Sequence, residues 1–546
     1  MKKVILLTFL SLSSIFAQSE PVNSEHPVYS FLRRASVAGY IPYYDGAILP
    51  KSKTEIKKNL SELLNLKNSL PVSLSEELSF YEEMFLSQRD NKEFNFEDYT
   101  TSAEPVHLFE YSGENYFVTL DPVLNLTAHG VGDDSYSDKT AFYLRYGGYA
   151  RFNYKNWLSA YIIAWNGNAY GSREVNAVDK IVGQKFTFRK TGLNHFDGSE
   201  GGIFIEHDIF SGSISRNRTE WGENFYNKDK ISGVSQFFDK ISFEIKTELF
   251  TYNYLHGWLV TPQFITPGDS ISGDYKNRAE KYTAQNRISV NLSKRLNISV
   301  WQSVVYANRG VDLAYLNPFL FWESAQRSLE DLDNSFIGLD VRYKPVNGIE
   351  LTGSMIFDDI NFEFLQPGKF QKFNNRFSFM GGLLYIPEFA GRLTAGLTYY
   401  FVRPYTFSHP GKSENLAYTN NSFPLGIDIK PNSEMLNLHL DYQFTPRLRL
   451  SMDIKHIRHG ENIYDNSGNL LQNHGGSFFI STNQFSSEDA WFLAGEFQNT
   501  TTVEFLLFYT PGANTLIKAG YVFNKSNFNA PVPENYFYTS LNLLYF

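Results

Sequence analysis

Three segments of the sequence hold charged residues whose types and spacing could bind a ligand. Arginine and carboxylate side chains form bidentate hydrogen bonds with each other and with polar or anionic groups. One segment, SRNRTEW, contains four candidates within six residues, and two further segments supply aspartates. The candidates are Arg216, Arg218, Glu220 and Trp221, followed by Asp340, and then by Asp358 and Asp359.

The spacing of these residues fixes which of them could act together on a β-strand. Successive side chains of a strand point to opposite faces, so Arg216, Arg218 and Glu220 are expected on one face. Asp358 and Asp359 are neighbours, and only one of them can point to the shared side unless a bulge or a strand end intervenes. The pattern predicts a row of opposite charges along one side of a sheet.

Other kinds of chemistry find little support in the sequence. The absence of cysteine excludes disulfides, thiol catalysis and thiolate-metal sites. His456 and His459 are three residues apart, which places them on opposite faces of a strand and argues against a shared metal ion. Gly268-Asp269-Ser270 resembles the start of an esterase motif, but no partner Asp-x-x-His block follows, so we interpret it as a loop.

We predict no metal, no cofactor and no catalytic site, and the net charge of −9 argues against nucleic-acid binding.

Alternation of apolar and polar residues with period two supplies the elements that position the candidates. In the stretch 287–302 it runs on both sides of a short turn at Ser293-Lys294, which predicts a β-hairpin. Similar hairpins turn at Asn347-Gly348, where a type I′ turn is expected, at Thr445-Pro446 and at Pro511-Gly512. Longer polar segments are predicted extracellular loops: Asp133 to Lys139, Tyr405 to Pro424 and Asn462 to Gly476.

The two ends of the chain, taken together with the repeated hairpins, predict the fold. Residues 1–17 have a basic start, an apolar run and Ala17, which is typical of a cleaved signal peptide. No later run is long and apolar enough for a membrane helix, so an exported membrane protein of this sequence must be a closed barrel. The last strand ends in Phe546, a signal that the barrel-assembly machinery of outer membranes recognises. An aromatic content of 16% suits a lipid-facing barrel.

The segment 18–104 differs from the rest because its apolar residues follow the helical period. Ser52-Lys53-Thr54-Glu55 and Ser73-Leu74-Ser75-Glu76 match capping boxes, and we predict three helices that pack on the barrel from the periplasmic side. Residues 105–546 then hold about 18 strands at roughly 25 residues for each strand and its connection. The predicted fold is an all-β transmembrane antiparallel β-barrel with a small N-terminal α-helical bundle, in contact with outer-membrane lipid.

A barrel restricts where the charged candidates can point. An arginine that faces lipid at the bilayer midplane costs ~2–4 kcal/mol, so Arg216 and Arg218 are predicted to face the lumen. Two interpretations remain open for the whole set: a ladder of opposite charges that braces and plugs the barrel, or groups that hydrogen-bond to sugars. Four aromatic residues of a predicted loop could stack on sugar rings or anchor at the lipid interface: Tyr405, Phe407, Tyr418 and Phe423.

The sequence resembles the Wzi-type capsule assembly family of outer-membrane proteins. The resemblance rests on residues 26–83 and on motifs that follow in the same order: SISRNRTEWGENFY (213–226), YLNPFLFW (315–322), LDNSFIGLDVRY (332–343) and MIFDDINFE (355–363). It implies a barrel of about 18 strands with a helical bundle at its periplasmic end. It also implies a non-enzymatic, lectin-like role, in which exported capsular or extracellular polysaccharide is held at the cell surface.

Two other functions stay open. A porin for small solutes would need an open lumen, against which the helical segment and the charged lumen argue. A lipase-type barrel would need a serine and a histidine together on the outer lipid face, and the sequence offers no such pair; Ser270 would be the residue to test.

Overall fold

The computed structural model describes residues 19–87, 94–155, 157–179, 182, 195–261, 279–328, 333–359, 366, 368–387, 391–409, 414–480, 482, 486–529 and 532–543. The predicted signal peptide at 1–17, Ser270 and Phe546 lie outside these residues, and so does the side chain of Asp359.

Within the described residues, 18 strands form a closed antiparallel barrel, which confirms the predicted fold class. Each strand pairs with its neighbours along the chain, and the last strand pairs with the first to close the wall. The strands are β1 (Tyr116–Val131), β2 (Thr140–Tyr154), β3 (Leu158–Gly171), β4 (His195–His207), β5 (Phe210–Asn217), β6 (Phe238–Lys246), β7 (Phe250–Val260), β8 (Glu280–Asn291), β9 (Leu296–Ala307), β10 (Asn334–Tyr343), β11 (Ile349–Asp359), β12 (Arg376–Tyr385), β13 (Leu393–Val402), β14 (Ser433–Thr445), β15 (Leu448–Glu461), β16 (Glu496–Gly512), β17 (Thr515–Ser526) and β18 (Asn535–Leu543).

The hairpin predicted at 287–302 shows how the alternation builds the wall. Ile288 lies opposite Val300 on the outer face, and both side chains are about half exposed, as lipid-facing residues are. One residue along, Arg287 lies opposite Trp301, and both are fully buried on the inner face. Polar residues inside and apolar residues outside are the reverse of a soluble core, and they require lipid around the barrel.

Short turns gather at one end of the barrel, called the turn end, and longer connections at the other, called the loop end. The turn at Asn347-Gly348 joins β10 to β11. Gly348 has the predicted positive φ of +86°, but Asn347 does not have a positive φ, so the turn is not of the predicted type I′. The predicted loops Asp133–Lys139 and Asn462–Gly476 follow β1 and β15 at the loop end. By the usual asymmetry of these barrels, the turn end faces the periplasm.

Four helices, together called the helical cap, precede the barrel: α1 (Val28–Val37), α2 (Lys53–Leu64), α3 (Val72–Phe85) and α4 (Phe96–Thr101). Ser52 caps α2, because its hydroxyl accepts a hydrogen bond from the Glu55 N–H at 3.1 Å. The cap predicted at Ser73 is wrong: the cap position is Pro71, two residues earlier, α3 begins at Val72, and no side chain caps it. Proline suits that position because it cannot continue a helix in the N-terminal direction.

The helical cap lies against the turn end of the barrel. The Gly348 N–H donates to the Val37 carbonyl at 2.9 Å, and Arg392 forms a 2.9 Å ion pair with Glu76. None of the helices in the part of the chain that the structure describes is long and apolar enough to cross a membrane.

Two connections fold inward and fill one half of the lumen. The first, called the plug, is the segment 218–237 between β5 and β6; the second, called the inner loop, comprises 403–409 and 414–432 between β13 and β14. They meet where the Tyr418 hydroxyl donates to the Lys230 carbonyl at 3.0 Å and the Ser232 N–H donates to the Leu425 carbonyl at 2.8 Å. The filled half is walled by β6–β15 and is called the packed half.

This arrangement corrects the prediction that Tyr405 to Pro424 is an extracellular loop. Tyr405, Phe407 and Tyr418 are buried inside the barrel, so they neither meet sugars in solution nor anchor in lipid. An aromatic-rich connection buries its rings where it can, and here the packed half provides that interior.

Several short elements complete the described chain. Two small helices lie on the outer face of the barrel and are treated below: Leu313–Leu316 and Trp322–Ser328. The others are the helix Arg173–Val178, the 3-10 turns Lys67–Ser69 and Glu414–Leu416, and the short strands Ile48–Leu49, Phe109–Ser112, Glu220–Trp221, Thr419–Asn420, Phe423–Pro424, Ile463–Tyr464 and Leu470–Gln472.

Candidate functional site

Asp340 lies at the centre of a buried charge network in the packed half. Its carboxylate accepts a hydrogen bond from the Lys230 ammonium of the plug at 2.6 Å, and neither side chain is exposed. Lys230 also pairs with Asp229 at 3.2 Å. Because each buried charge has an opposite charge beside it, attraction within the network offsets the desolvation penalty that an isolated buried ion would carry uncompensated.

The same network joins the plug, the wall and the helical cap. Glu223 of the plug pairs with Arg287 of β8 and lies 3.7 Å from Arg342 of β10. Arg33 of α1 pairs with Glu350 of β11. These contacts match the bracing that the charge-ladder interpretation requires, although most of the residues involved were not among the candidates.

Arg216 does not face the lumen, which corrects the prediction made for it. It shares the outer face of β5 with Ile214, which is 66% exposed. Its guanidinium instead forms a bidentate pair with Asp239, directly opposite on β6, at 2.8 and 2.5 Å. The carboxylate compensates the arginine charge, so the cost of a lone outward-facing arginine does not decide its orientation.

Arg218, Glu220 and Trp221 lie inside the barrel because β5 ends at Asn217 and the chain turns inward. Strand alternation therefore stops between Arg216 and Arg218, and these two residues do not share a face as predicted. Arg218 Nε donates to Glu220 at 2.8 Å. Trp221 is buried in the packed half, where residues 220–221 pair with Ile48–Leu49 of the N-terminal segment.

Asp358 and Asp359 lie at the loop end of β11, where the β11–β12 register shifts between Phe357 and Asp359. A bulge or a strand end was the condition under which both neighbouring aspartates could point to the same side. Asp358 accepts a hydrogen bond from the Phe407 N–H at 2.5 Å and lies 3.8 Å from Arg376. It holds the inner loop against the wall. Asp359 pairs with Arg376 through the strand register.

The other half of the lumen, walled by β1–β5 and β16–β18 and called the open half, contains a cavity of about 1320 Å³. It extends along the barrel from Leu516, near the turn end, to Asn524, near the loop end. Six aromatic residues from three strands line it: Tyr143, Tyr149, Tyr161, Trp165, Tyr536 and Tyr538.

Charged and amide side chains stand among these rings. The Arg145 guanidinium lies 5.2 Å from the centre of the Trp165 ring, and its Nε donates to Asn125 at 3.1 Å. The Tyr538 hydroxyl donates to Glu504 at 3.1 Å. Flat rings beside fixed hydrogen-bonding groups can bind a ring-shaped ligand that carries hydroxyl groups.

An ion triplet closes the cavity towards the helical cap. Glu25, of the N-terminal segment, pairs with Arg218 of the plug and lies 3.4 Å from Lys518 of β17. The charges of Lys518 and Arg218 lower the pKa of Glu25 to about 2, so this carboxylate stays ionised at neutral pH. Of the predicted candidates, Arg218 is the one whose side chain borders the cavity from inside the barrel.

Sequence reasoning missed the aromatic lining, although the sequence contains a signal for it. In β2 the residues Tyr143, Arg145, Tyr149 and Arg151 recur at even spacing, which places them on one face. Arginine is unfavourable towards lipid, and the two arginines on that face indicate that it is the lumenal one. No group of three or more His, Cys, Asp or Glu in the described residues could hold a metal ion.

Comparison with known proteins identifies the fold. The chain is similar to the outer-membrane protein Wzi of Escherichia coli, which is described as a carbohydrate-binding β-barrel involved in group 1 capsule assembly. The two share 11% identity over 96% of this chain and 99% of that chain, with a TM-score of 0.58. The predicted resemblance is thus confirmed at the level of the fold.

Two porins give weaker matches. OprD of Pseudomonas aeruginosa is 10% identical over 78% of this chain and 94% of its own, with a TM-score of 0.41. A BenF-like porin of Pseudomonas fluorescens Pf-5 is 9% identical over 79% of this chain and 99% of its own, with a TM-score of 0.43. No protein-family model and no curated protein matches the sequence.

Proposed function

We propose that this outer-membrane barrel is a non-enzymatic lectin that holds capsular or other extracellular polysaccharide at the cell surface. The observation that carries the proposal is the open half of the lumen, where aromatic rings and hydrogen-bonding groups line one cavity. Its 1320 Å³ exceeds the ~300–1,000 Å³ of typical small-molecule sites, which favours a chain of sugars over a single small solute.

The chemistry of the lining supports a saccharide. Sugar rings present apolar C–H faces that pack on aromatic rings, and their hydroxyl groups need fixed donors and acceptors. Tyr161 and Tyr538 are half-buried and offer their rings to the cavity. Arg145 supplies a planar donor fork, and Glu504 supplies an acceptor.

Export and assembly belong to the same proposal. Residues 1–17 direct the chain across the inner membrane, and the C-terminal sequence that ends in Phe546 is presented to the barrel-assembly machinery. Replacement of Phe546 by serine is expected to lower the amount of folded protein in the outer membrane, as measured by gel mobility of unheated samples.

The first experiment compares cell-bound with released polysaccharide after deletion of the gene, at matched total synthesis. Movement of polysaccharide from the cells to the medium is the expected result. An unchanged partition would contradict the lectin proposal. Complementation with Tyr538→Ala tests the cavity, and Phe537→Ala is the matched control, because Phe537 is the preceding residue of β18 and is exposed on the outer face.

A porin is the second candidate, and one observation favours it: the cavity extends along most of the length of the strands. The plug, the inner loop and the helical cap oppose free diffusion, so we expect little conductance in planar bilayers. Steady ohmic conductance, combined with lower solute uptake in the deletion strain, would favour the porin over the lectin.

The proposal that the protein is not an enzyme also rests on geometry. Ser433, His459 and Glu461 are joined by hydrogen bonds of 2.8 and 3.3 Å, an order that resembles a hydrolytic triad. The serine is only 1% exposed, which leaves no approach for a substrate carbonyl. Purified protein is expected to release no product from lipid or ester substrates; hydrolysis lost in Ser433→Ala would contradict this.

A further inference from the structure

The outer face of β7, β8 and β9 carries polar residues where lipid-facing residues are expected. Asn286 and Gln302 lie opposite each other, two residues along from the exposed pair Ile288 and Val300, and therefore on the same outer face. Tyr252 and Tyr254 of β7 belong to this face too. Amide groups directed into hydrocarbon without partners would cost several kcal/mol each.

Residues 312–322, called the outer segment, cover this polar patch. They belong to the connection that leaves β9 at the loop end, and they run down the outside of the wall. Tyr252, which contacts them, is two residues from the start of β7 at the turn end. The segment therefore lies beside the membrane-spanning wall and does not extend into the medium.

Hydrogen bonds attach the outer segment to the patch. The Asn286 side chain donates to the Pro318 carbonyl at 3.1 Å, and that of Gln302 donates to the Leu320 carbonyl at 3.0 Å. Gln302 also accepts a hydrogen bond from the Trp322 N–H at 3.2 Å. The side chains of the wall thus satisfy backbone groups that neither strand nor helix satisfies, which is the condition for irregular backbone at membrane depth.

Tyrosines add two further contacts on the same inner side of the segment. The Tyr254 hydroxyl donates to the Tyr315 carbonyl at 3.0 Å, and the Tyr252 hydroxyl donates to the Pro318 carbonyl. Tyr315 and Trp322 are fully buried against the wall. All of these polar groups are turned towards the barrel.

The opposite side of the outer segment is apolar and exposed. Leu313 is 79%, Phe319 76% and Phe321 55% exposed. This surface continues the lipid-facing band of Ile288 and Val300, and the Phe319 ring stacks on Tyr252 at 5.5 Å. Side chains of this kind would be unfavourable in water, where a contiguous apolar patch is a liability.

We propose that the outer segment is embedded in the hydrocarbon layer of the outer membrane and that lipid acyl chains are the partner of its exposed face. The wall and the segment exchange hydrogen bonds with each other, and the segment presents mainly apolar side chains to the lipid. Its exposed polar residue is Asn317, whose side-chain oxygen accepts a hydrogen bond from the Phe319 N–H at 3.1 Å. The argument rests on continuity with the lipid-facing band, and it does not depend on the proposed binding of polysaccharide.

The absence of cysteine allows a direct test by site-directed spin labelling. Phe319→Cys is labelled with a nitroxide in the full-length protein in lipid vesicles, and relaxation by oxygen is compared with relaxation by a water-soluble nickel chelate. Val300→Cys serves as the lipid-facing reference and Ser467→Cys, in an exposed loop, as the water-facing reference. We expect the label at 319 to match the label at 300.

Two results would overturn the proposal. A label at 319 that matches the one at 467 would place the segment in water. A label at 319 that is shielded from both relaxants and broadened by a second nitroxide would indicate another copy of the chain as the partner in place of lipid.

A second pair of variants tests the hydrogen bonds. In the Phe319→Cys background, Asn286→Leu with Gln302→Leu removes the side chains that hold the segment, and access of nickel to the label is expected to rise. Ile288→Leu with Val300→Leu, on the same outer face, is the matched control and should leave access unchanged. Gel mobility of unheated samples verifies that each barrel is folded. Unchanged access in the first pair would contradict the role assigned to these amides.

Discussion

The two halves of the lumen are built from the same kind of strand but differ in what fills them. In the packed half, Lys230, Asp340 and Arg287 have no exposed surface and lie among opposite charges. In the open half, Arg145 and Glu504 are half-buried and border a cavity. An inward-facing charge is therefore not evidence of a binding site in itself. The inserted segments decide whether the charge braces the fold or remains available to a ligand.

The largest expected effect lies in the packed half. Asp340→Ala leaves Lys230 buried with one carboxylate fewer and should lower the free energy of unfolding by about 3–5 kcal/mol, as loss of one partner of a buried pair does. Urea unfolding in lipid vesicles, followed by tryptophan fluorescence, measures this. Arg145→Ala in the open half is the control and should cost about 1 kcal/mol or less, since water can reach the site. Equal losses of unfolding free energy in the two variants would contradict the difference between the packed half and the open half.

A charge on the outer face should behave differently from both lumenal halves. Asp239→Ala leaves Arg216 on the outer face of β5 without its carboxylate, which should cost ~2–4 kcal/mol near the bilayer midplane. The double variant Arg216→Leu with Asp239→Leu removes both charges and should recover most of that loss. The same urea titration measures both. A double variant that is no more stable than the single one would mean that the arginine does not face lipid.

The helical cap offers a pH-dependent test that leaves the barrel wall intact. Burial, with a smaller contribution from Lys53, lowers the pKa of His26 from 6.5 to about 3. The unfolded cap therefore binds a proton more readily than the folded cap below about pH 6.5, and stability is lost as the pH falls from 6.5 towards 3. At about pH 5 the loss should be about 2 kcal/mol for any opening that exposes His26.

Hydrogen exchange of the α1–α3 amides between pH 7 and pH 5, corrected for intrinsic rates, measures this loss. His26→Gln should abolish the pH dependence, whereas His207→Gln, at an exposed histidine of β4, should keep it. Protection that does not depend on pH in the unaltered protein would show that His26 is not held neutral by burial.

The smallest effect concerns the open half. Tyr538→Ala removes one aromatic face from the cavity and should weaken saccharide binding by about 1 kcal/mol, or about fivefold in Kd. Phe537→Ala should leave the Kd unchanged. Calorimetry with the purified extracellular polysaccharide of the producing cells measures both. Equal effects of the two variants would contradict a binding role for the cavity.

The strands of the barrel could be predicted from the sequence, because alternation is local and the turn residues mark where it reverses. The end of β5 could not. In SRNRTEW the alternation continues through Arg218 and Glu220, although the chain has already left the wall at Asn217. The chain turns inward because it contacts Glu25 and the strand Ile48–Leu49, which are distant in the sequence. No local sequence pattern indicates these contacts.

Dependence on contacts that are distant in the sequence also explains why the inner loop was predicted wrongly and the outer segment was not predicted. The loop residues 405–424 look polar and turn-like, and only the space inside the packed half makes burial of Tyr405 and Tyr418 possible. For the outer segment the sequence does hold a clue. Asn286 and Gln302 interrupt the apolar face of two strands, and such an interruption indicates that something other than lipid covers them.

The ion triplet beneath the cavity has a consequence for how the molecule matures. Glu25 and Lys518 are separated by 493 positions, so residues near the start of the chain must meet one of its last strands. Contacts between such distant parts of a chain form late and slowly. The segment around Glu25 therefore cannot make its final contacts until β17 has been built into the wall. Formation of the ion triplet then marks a barrel whose wall is nearly complete.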